Sequence, residues 1–296
     1  MKCLVTGGAG FIGSNLVDML IQEGNNVTCL DINADGYWNS EADNHVGDVC
    51  NEDIVNRLTQ GIDWVFHLAA DVMIQETIQN PIHCYHNNVV GTATVLQSVR
   101  ENKVKRFIMS STSAIYKPSN VAQMEGSPED PCLNPYASSK KCGEDMCRVY
   151  SNLYGTHTTI LRYFNVYGDR QHSYGQYAPV LGIFMKQRNE DTPLTITGDG
   201  KQRRDFINVK DVARANIAAA QSNTESGRIY NVGSGVNYSV QEIADMIHPN
   251  QTYIDKRLGE VQYTKADIST TECKLNWKPT IQLDHWLQNE LETTIL

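Results

Sequence analysis

Short apolar runs alternate with segments of helical periodicity over the first two-thirds of the chain. An apolar run of about 4–8 residues bounded by turn residues is typical of a buried strand, and helices follow most of these runs. The predicted strands are Cys3–Thr6, Val27–Leu30, Trp64–Leu68, Arg106–Met109 and Thr159–Tyr163. Strands that alternate with helices indicate an α/β fold, and we expect a doubly wound parallel sheet.

Two longer segments, about Ile82–Glu101 and Tyr136–Leu153, are predicted as helices. Beyond Tyr167 the pattern becomes irregular, with short strands, glycine turns and brief helices near Val180–Gln187 and Val240–Ile247. This change predicts a smaller C-terminal α/β lobe. We expect residues 1–165 to form the first domain, with a return of the chain at 205–235, and residues 166–204 and 236–296 to form the lobe.

The first strand leads directly into a glycine-spaced turn, Gly7-Gly8-Ala9-Gly10-Phe11-Ile12-Gly13, and then into a helix. Gly7 allows a tight turn, Gly10 lets backbone N–H groups approach phosphates, and Gly13 lets the helix pack on the strand. An anion at such a turn lies on a helix N-terminus. The pattern predicts a dinucleotide pyrophosphate site of the Rossmann type, where Phe11 and Ile12 also contact the cofactor.

The second predicted strand ends in Asp31, which identifies the expected dinucleotide more closely. A carboxylate at this position accepts hydrogen bonds from the ribose hydroxyls and repels a 2′-phosphate. No arginine follows closely. We therefore expect NAD as the cofactor rather than NADP.

Composition and charge make several kinds of partner poor candidates. A net charge of −9 and a pI near 5.4 argue against a nucleic-acid or anionic membrane surface. No apolar run reaches the length of a bilayer, and the first strand begins at Lys2, so we expect a cytoplasmic protein without a signal peptide. The eight cysteines contain no CxxC pair, and we expect reduced thiols and no metal site.

Tyr136 and Lys140 lie four residues apart at the start of the second long helix, which places the phenol and the ammonium on one face. A nearby ammonium favours the phenolate and makes tyrosine a useful general base. The hydroxyl run Ser110-Ser111-Thr112-Ser113 follows a central strand, at the edge where this architecture binds ligands. The sequence thus predicts Tyr136 as a base, with a hydroxyl between it and a substrate.

These features together resemble the extended short-chain dehydrogenase/reductase family, and within it the nucleotide-sugar epimerases and dehydratases. The resemblance covers essentially the whole chain, and its motifs occur in family order. In addition to the features above, these motifs are Gly47-Asp48-Val49, His67-Leu68-Ala69-Ala70, Asn88-Val89-Val90-Gly91-Thr92, Leu161-Arg162-Tyr163-Phe164-Asn165-Val166-Tyr167-Gly168 and Arg204-Asp205-Phe206-Ile207.

The resemblance implies roles around the cofactor and the base. Thr112 falls at the catalytic Ser/Thr position, and Lys140 also holds the nicotinamide ribose. Asn88 is implied to be a cofactor residue that braces the active-site backbone, and His67 to be structural. The remaining implied cofactor residues are Asp48 and Val49 at the adenine, Leu68, Ala69 and Ala70 at the pyrophosphate and ribose, and Tyr163.

The resemblance also implies a nucleotide-sugar site in the lobe. Asn165, Arg204 and Arg257 match positions that hold a diphosphate, which suits the planar fork of arginine. Thr264 matches a position beside the C2 substituent of the sugar, where a small residue leaves room for an N-acetyl group. Ile196 is implied to form an apolar wall, and the segment Tyr177–Leu181, with Tyr177 and Val180, to contact the base.

The resemblance also narrows the reaction. Family members that dehydrate sugars carry an Asp-Glu pair where this chain has Ser113 and Ala114, and those that decarboxylate uronic acids carry glutamate at the Ala114 position. Epimerisation at C4 of UDP-glucose or UDP-N-acetylglucosamine is therefore expected, with Tyr136 and Thr112 handling the proton and NAD the hydride.

Other functions of the same fold remain open. A nucleotide-sugar reductase, a uronate 4-epimerase and a non-catalytic NAD-binding regulator are the alternatives, and the sequence does not select among UDP, dTDP, GDP and CDP carriers. The helices near Ile82–Glu101 and Tyr136–Leu153 resemble the pair that forms the family's dimer interface, with apolar surface at Val89, Val95, Tyr150 and Leu153. We expect a homodimer.

Overall fold

A central parallel sheet organises the chain, for which the computed structural model describes residues 1–130, 134–171, 179–256 and 261–293. The strands are β1 (Lys2–Thr6), β2 (Asn26–Asp31), β3 (Asp43–Val46), β4 (Trp64–His67), β5 (Arg106–Thr112), β6 (Thr158–Tyr163), β7 (Asn165–Tyr167), β8 (Leu194–Thr197), β9 (Arg203–Asn208), β10 (Arg228–Val232), β11 (Asn237–Ser239) and β12 (Gln251–Ile254). Seven of them form the sheet in the order β10-β6-β5-β4-β1-β2-β3. The prediction of a doubly wound parallel sheet is confirmed, and all five predicted strands lie in it.

Helices cover both faces of this sheet. The α-helices of the large sheet and of the smaller lobe together are α1 (Phe11–Gln22), α2 (Glu52–Thr59), α3 (Ile74–Gln79), α4 (Pro81–Tyr85), α5 (Gly91–Glu101), α6 (Pro135–Tyr154), α7 (Val180–Asn189), α8 (Val209–Gln221), α9 (Val240–Ile247), α10 (Ser269–Leu275) and α11 (Leu283–Thr293). Helices α1 and α8 pack on one face, and α2, α5 and α6 on the other. Successive strand residues face opposite sides of the sheet. Cys3 and Val5 join the apolar core under α1 and α8, and Leu4 joins the core under α2, α5 and α6.

The predicted helix from Ile82 to Glu101 is interrupted. Helix α4 is followed by a π-helical segment, His86–Val90, before α5 begins at Gly91. Such segments add a residue to a turn and often occur at functional sites. The buried Asn88 lies in this segment and bonds the backbone of Asp71 on a neighbouring loop.

Helix α6 has clear end signals in the sequence. The Asn134 side chain accepts from the backbone N–H of Ala137, and Pro135 occupies the first turn. Gly155 ends the helix in the left-handed region at φ 68°. The predicted helix Tyr136–Leu153 is confirmed and extends by one residue at each end.

The smaller lobe contains a three-stranded sheet, β11-β9-β7, and the pair β12-β8. Its apolar core is formed largely by α7, α9 and α11. After β9 the chain runs back to the large sheet: α8 packs on α1, and β10 pairs with β6 at the edge of the sheet. The division into domains at residues 165, 204 and 235 stays a prediction.

Within the described ranges, no helix is long and apolar enough to cross a membrane. The seven cysteines in these ranges are free thiols. Cys3 and Cys29 lie in buried strands as expected, and burial raises the pKa of each thiol to about 12.

Candidate active site

The turn between β1 and α1 is shaped by close packing at two glycines. Gly7 has a φ of 71°, and a Cβ there would lie 2.7 Å from the backbone nitrogen of Ala69. A Cβ on Gly13 would lie 2.0 Å from the carbonyl oxygen of Gly7. Gly10 is the N-cap residue of α1 and makes no side-chain cap, and its own Cβ would meet only Gly7 O, at 3.4 Å. The first N–H groups of α1 are therefore left for a ligand.

A cavity of about 380 Å³ extends over this turn along the carboxyl edge of the sheet. Asp31 lies at its wall, with Oδ2 accepting from the backbone N–H of Ala9 at 3.0 Å and Oδ1 from that of Asn33 at 2.9 Å. We name this cavity of about 380 Å³ the cofactor cavity. The predicted residues that line it are Gly7, Gly10, Phe11, Ile12, Gly13, Asp31, Asp48, Val49, Leu68, Ala69, Ala70, Tyr136, Lys140 and Tyr163.

Tyr136 and Lys140 line the same cavity from α6. Burial raises the pKa of Tyr136, while a hydrogen bond with the hydroxyl of Thr112 lowers it. Burial lowers the pKa of Lys140 to about 8. Among the described residues, no carboxylate lies within ion-pair distance of this ammonium, which is only 4% exposed. The geometry brings the three predicted catalytic residues together.

Asn88, expected at the cofactor, does not line the cofactor cavity and instead bonds the backbone of a residue that does. Asn87 lines the cofactor cavity, whereas Asn88 is buried and clamps Asp71. Its Oδ1 accepts from the Asp71 N–H at 2.7 Å, and its Nδ2 donates to the Asp71 carbonyl at 2.9 Å. Its position fits the bracing role, because Asp71 itself lines the cavity.

His67 is fully buried between two hydroxyl groups. Thr92 donates its hydroxyl hydrogen to the Asn88 carbonyl at 2.6 Å, so His67 Nε2 must donate to Thr92 at 2.9 Å. Nδ1 then accepts from Thr6, 2.8 Å away. Burial lowers the pKa of His67 to about 3, and the ring stays neutral. This geometry fits the structural role implied for it.

A buried ion pair that sequence reasoning missed lies beside the hydroxyl run. Arg162 on β6 and Glu144 on α6 are both fully buried, and they pair at 2.7 Å (Nε–Oε1) and 2.6 Å (Nη2–Oε2). Ser111 donates to the same carboxylate at 2.6 Å. Two signals could have indicated this pair. They are the strand register that places Arg162 beside Ser111 and the helical spacing that places Glu144 on the face of Tyr136 and Lys140.

A second cavity, of about 370 Å³, lies between the sheet edge and the smaller lobe, and we name it the lobe cavity. Asn165, Val180 and Arg204 line it as predicted. Ile196 is instead fully buried in the core of the lobe. Side chains alternate along β8, so Thr195 and Thr197 line the cavity in its place. The predicted residues Tyr177 and Arg257 lie outside the described ranges.

Asn165 lines this cavity and contacts Thr264, which is buried and is not among the lining residues. Asn165 Nδ2 donates to the Asp205 carbonyl at 2.9 Å and to Thr264 Oγ1 at 3.4 Å. Thr264 Oγ1 also accepts from the Asp205 N–H at 3.2 Å, and Thr264 is buried. The amide nitrogen of Asn165 is engaged within the protein, and its side-chain oxygen makes no hydrogen bond to another described residue. A role in gripping an anionic diphosphate, as expected from the sequence, would require Nδ2 to leave these partners.

Asp205 of the Arg204-Asp205-Phe206-Ile207 motif holds the walls of this region. Its buried carboxylate accepts from the N–H groups of Ser234, Gly235 and Ala266 at 2.7, 3.0 and 2.9 Å. Burial nevertheless raises its pKa. The motif therefore has a structural member beside Arg204.

Gln171 lines both cavities, and sequence reasoning did not single it out. Its Oε1 accepts from the N–H of Gly168 at 3.3 Å, while its buried Nε2 has no hydrogen-bond partner among the described residues. Pro179 is the other residue that lines both cavities. The two cavities therefore meet at Gln171 and Pro179.

Comparison with known proteins connects this geometry to a family. The model of the NAD dependent epimerase/dehydratase family matches residues 3–233. A putative UDP-glucose 4-epimerase of Methanocaldococcus jannaschii is 36% identical, over 98% of this chain and 99% of its own. The structure of a UDP-glucose 4-epimerase from Thermotoga maritima with UDP-glucose is 30% identical and superposes with a TM-score of 0.93, over 100% of this chain and 99% of that one. A UDP-N-acetylglucosamine 4-epimerase from Methanobrevibacter ruminantium M1, in complex with UDP-N-acetylmuramic acid, is 32% identical with a TM-score of 0.91, over 99% and 97%.

Proposed function

Because the chain belongs to the NAD dependent epimerase/dehydratase family, we propose that it interconverts the C4 epimers of a UDP-bound hexose, with NAD as a resident hydride carrier. The observation that carries this proposal is that the cofactor cavity, which Tyr136 and Lys140 line, shares Gln171 and Pro179 with the lobe cavity. The cofactor cavity suits a dinucleotide, and the lobe cavity suits the nucleotide sugar. UDP-glucose/UDP-galactose and UDP-N-acetylglucosamine/UDP-N-acetylgalactosamine are the proposed pairs.

The residues present fit NAD. The glycine turn leaves no room for a Cβ at Gly7 or Gly13, and the N-terminus of α1 carries no side-chain cap. Asp31 would accept from the adenosine ribose, and Asp48 and Val49 would contact the adenine. The ammonium of Lys140 would bond the nicotinamide ribose. When bound, NAD supplies a hydride acceptor for C4 of the sugar and returns the hydride to it.

Tyr136 takes the proton of the C4 hydroxyl, directly or through Thr112, and gives it back after the keto-sugar has turned over. Burial alone keeps the phenol protonated, since it raises the pKa of Tyr136. The hydroxyl of Thr112 and a positive charge nearby stabilise the phenolate instead. Lys140 supplies such a charge below its pKa of about 8. Thr112 and Lys140 together would therefore favour the phenolate form of Tyr136, which is the form that accepts the proton.

Asn165 supports a neutral hexose over a uronic acid. With Nδ2 bound to Asp205 and Thr264, its side-chain oxygen, which bonds no other described residue, would accept from a hydroxyl or N–H group and repel a carboxylate. Diphosphate binding then falls to Arg204 and Arg257. A uronate 4-epimerase is the alternative, and it would require the opposite polarity at Asn165.

The test is a panel of UDP-, dTDP-, GDP- and CDP-sugars incubated without added coenzyme and analysed by NMR. We expect UDP-hexoses to form a mixture of C4 epimers, with no net oxidation or reduction. Net consumption of added NADH would indicate a reductase, and conversion of UDP-glucuronate alone would favour the uronate enzyme. No conversion of any sugar with NAD bound would support a regulator.

We also propose that the protein is a homodimer. Ile82, Val90, Val149 and Leu153 expose apolar surface on the helical segments α4 to α6, with Ile82 at 82% and Leu153 at 71% exposure. The expectation that Val95 contributes is wrong, because Val95 is fully buried against the sheet. Light scattering at micromolar concentration should give twice the mass of the chain, and Leu153→Lys should give a monomer. An active monomeric wild type would contradict this proposal.

The free thiols of the described cysteines also support a reducing compartment, and we propose the cytoplasm.

A further inference from the structure

The turn from Tyr167 to Gln171 adopts an unusual backbone. Gly168 has a φ of 128° and Arg170 a φ of 69°, a region that non-glycine residues rarely occupy. The side chain of Arg170 extends to α1, where Nη2 donates to Asp18 Oδ2 at 2.6 Å. Both side chains are about two-thirds buried, at 31% and 28% exposure. An ion pair shielded to this degree can hold the turn in place.

Asp18 fastens a second segment with its other oxygen. Oδ1 accepts from Asn39 Nδ2 at 2.7 Å. The chain just before Asn39 lies directly on the glycine turn: the Tyr37 N–H donates to the Ala9 carbonyl at 2.8 Å, and a Cβ on Gly36 would lie 2.6 Å from the Ala9 Cβ. Asp18 therefore joins the segment behind the pyrophosphate turn to the turn at 167–171.

A neighbouring contact on α1 supports the same arrangement. Asn15 Nδ2 donates to the Asp169 carbonyl at 3.0 Å and to the Phe11 carbonyl at 2.9 Å. Gln171 follows directly, with its N–H bonded to the Gly168 carbonyl at 3.1 Å. The end of this turn is the wall shared by the two cavities. The face of α1 behind the cofactor cavity thus fixes where Gln171 stands.

We propose that Arg170 and Asp18 are a positioning pair that retains the cofactor and keeps the junction of the two cavities closed around the keto-sugar. This inference rests on the proposed function, in which neither ligand leaves between the two hydride transfers. Neither residue lines either cavity. It acts by holding the segment at Gly36–Asn39 and the turn that carries Gln171 against the helix whose N-terminus binds the pyrophosphate.

The test compares Arg170→Met with Lys210→Met. Lys210 forms an ion pair with Asp169 of the same turn at 2.9 Å, but its side chain is half exposed and it does not contact α1 through this pair. NAD release is measured without sugar, by the nucleotide content that remains after repeated gel filtration and by the dissociation constant. We expect Arg170→Met to release NAD about tenfold faster, because it loses a charge-assisted hydrogen bond, and Lys210→Met to match the wild type. Arg170→Lys should restore part of the retention.

A second measurement separates positioning from simple loss of stability. During turnover with UDP-glucose, the Arg170→Met enzyme should accumulate reduced cofactor, seen as absorbance near 340 nm, because keto-sugar escapes before hydride returns. Arg170→Gly relieves the backbone strain yet removes the pair, so it should lose NAD in the same way. If Arg170→Met does not fold, Asp18→Asn is measured in its place, since it keeps the size of the side chain.

Retention of NAD by Arg170→Met at the wild-type level would overturn the inference, as would an equal loss in Lys210→Met. A merely structural role would lower the melting temperature and leave the release rate of the folded protein unchanged, which would also overturn it. Because release is measured without sugar, this result is independent of whether the substrate is a UDP-hexose.

Discussion

At the scale of single residues, the candidate chemistry is concentrated on α6 and the end of β5. Spacing alone predicted that Tyr136 and Lys140 share a face, because four residues make about one helical turn. The sequence could not predict that Gln171 stands at the junction of two cavities or that Asn165 has its nitrogen engaged by Asp205. Both facts depend on contacts between segments that are distant along the chain.

Replacing Tyr136 with Phe should abolish most turnover while NAD stays bound. The variant keeps the ring and removes the general base, a contribution of about 10²–10⁴-fold in rate. Tyr150→Phe is the matched control, since Tyr150 lies on the same helix and bonds Gln97 outside the cavity. Epimerisation rates and bound NAD are measured for both. Turnover near the wild-type rate in Tyr136→Phe would remove tyrosine from the mechanism.

Thr264→Tyr should impair the N-acetylated substrate more than the plain hexose. Thr264 contacts Asn165, which lines the lobe cavity, and we propose that a bulky ring at this position extends past Asn165 into the space of the acetamido group. Thr264→Val, which is similar in size to the native residue, should keep the ratio of kcat/KM values. The ratio for the two substrates is measured in each variant, and an equal loss for both in Thr264→Tyr would contradict the steric explanation.

The burial of His67 makes stability depend on pH. Its pKa is about 3 in the folded protein against 6.5 ordinarily, so below pH 6.5 the unfolded chain binds a proton that the folded chain does not. Stability should therefore fall as the pH falls from 6.5 towards 3, by at most about 1.4 kcal/mol per pH unit from this group. The unfolding free energy, measured with urea at several pH values in this range, should change less steeply with pH in His67→Gln than in the wild type. Equal slopes would assign the acid sensitivity to other groups.

At the scale of elements, the sequence predicted those with strong local signals. The five strands and α6 were found because apolar runs, Pro135 and Gly155 mark them. The π-helical segment at His86–Val90 was missed, since it depends on contacts such as that between Asn88 and Asp71. Strand β9 pairs with β7 and β11 in the lobe, whereas α8, β10 and, later in the chain, α10 pack with the large sheet.

The pair Glu144–Arg162 connects β5, β6 and α6, and removing one of the two residues should destabilise the protein more than replacing both. Glu144→Ala removes the two-point partner of a buried guanidinium and leaves Arg162 with the partly exposed Glu129, whose Oε1 lies 2.8 Å from Nη2. This loss should cost about 3–5 kcal/mol of unfolding free energy. Replacing both Glu144 and Arg162 with Met should recover most of that loss, because a buried ion pair gives little net stability over apolar packing. Chemical denaturation of the single and double variants measures the change. A Glu144→Ala variant as stable as the wild type would show that Glu129 alone compensates the charge of Arg162.

In the molecule as a whole, the large parallel sheet and the smaller lobe line two cavities that meet. The parallel sheet and α6 line the cofactor cavity, while the lobe strands β7, β8 and β9 line the lobe cavity. The two cavities share Gln171 and Pro179. This arrangement suits a reaction in which the sugar turns over while both ends of the site hold their ligands.

In the proposed reaction, the hydrogen on C4 leaves and returns as a hydride within one active site. UDP-glucose carrying deuterium at C4 tests this hydride transfer, with the UDP-galactose that forms analysed by NMR and mass spectrometry. We expect the deuterium to stay at C4 of the product and none to appear in water. Exchange of the label with solvent would contradict it, since the C4 hydrogen would then have left as a proton.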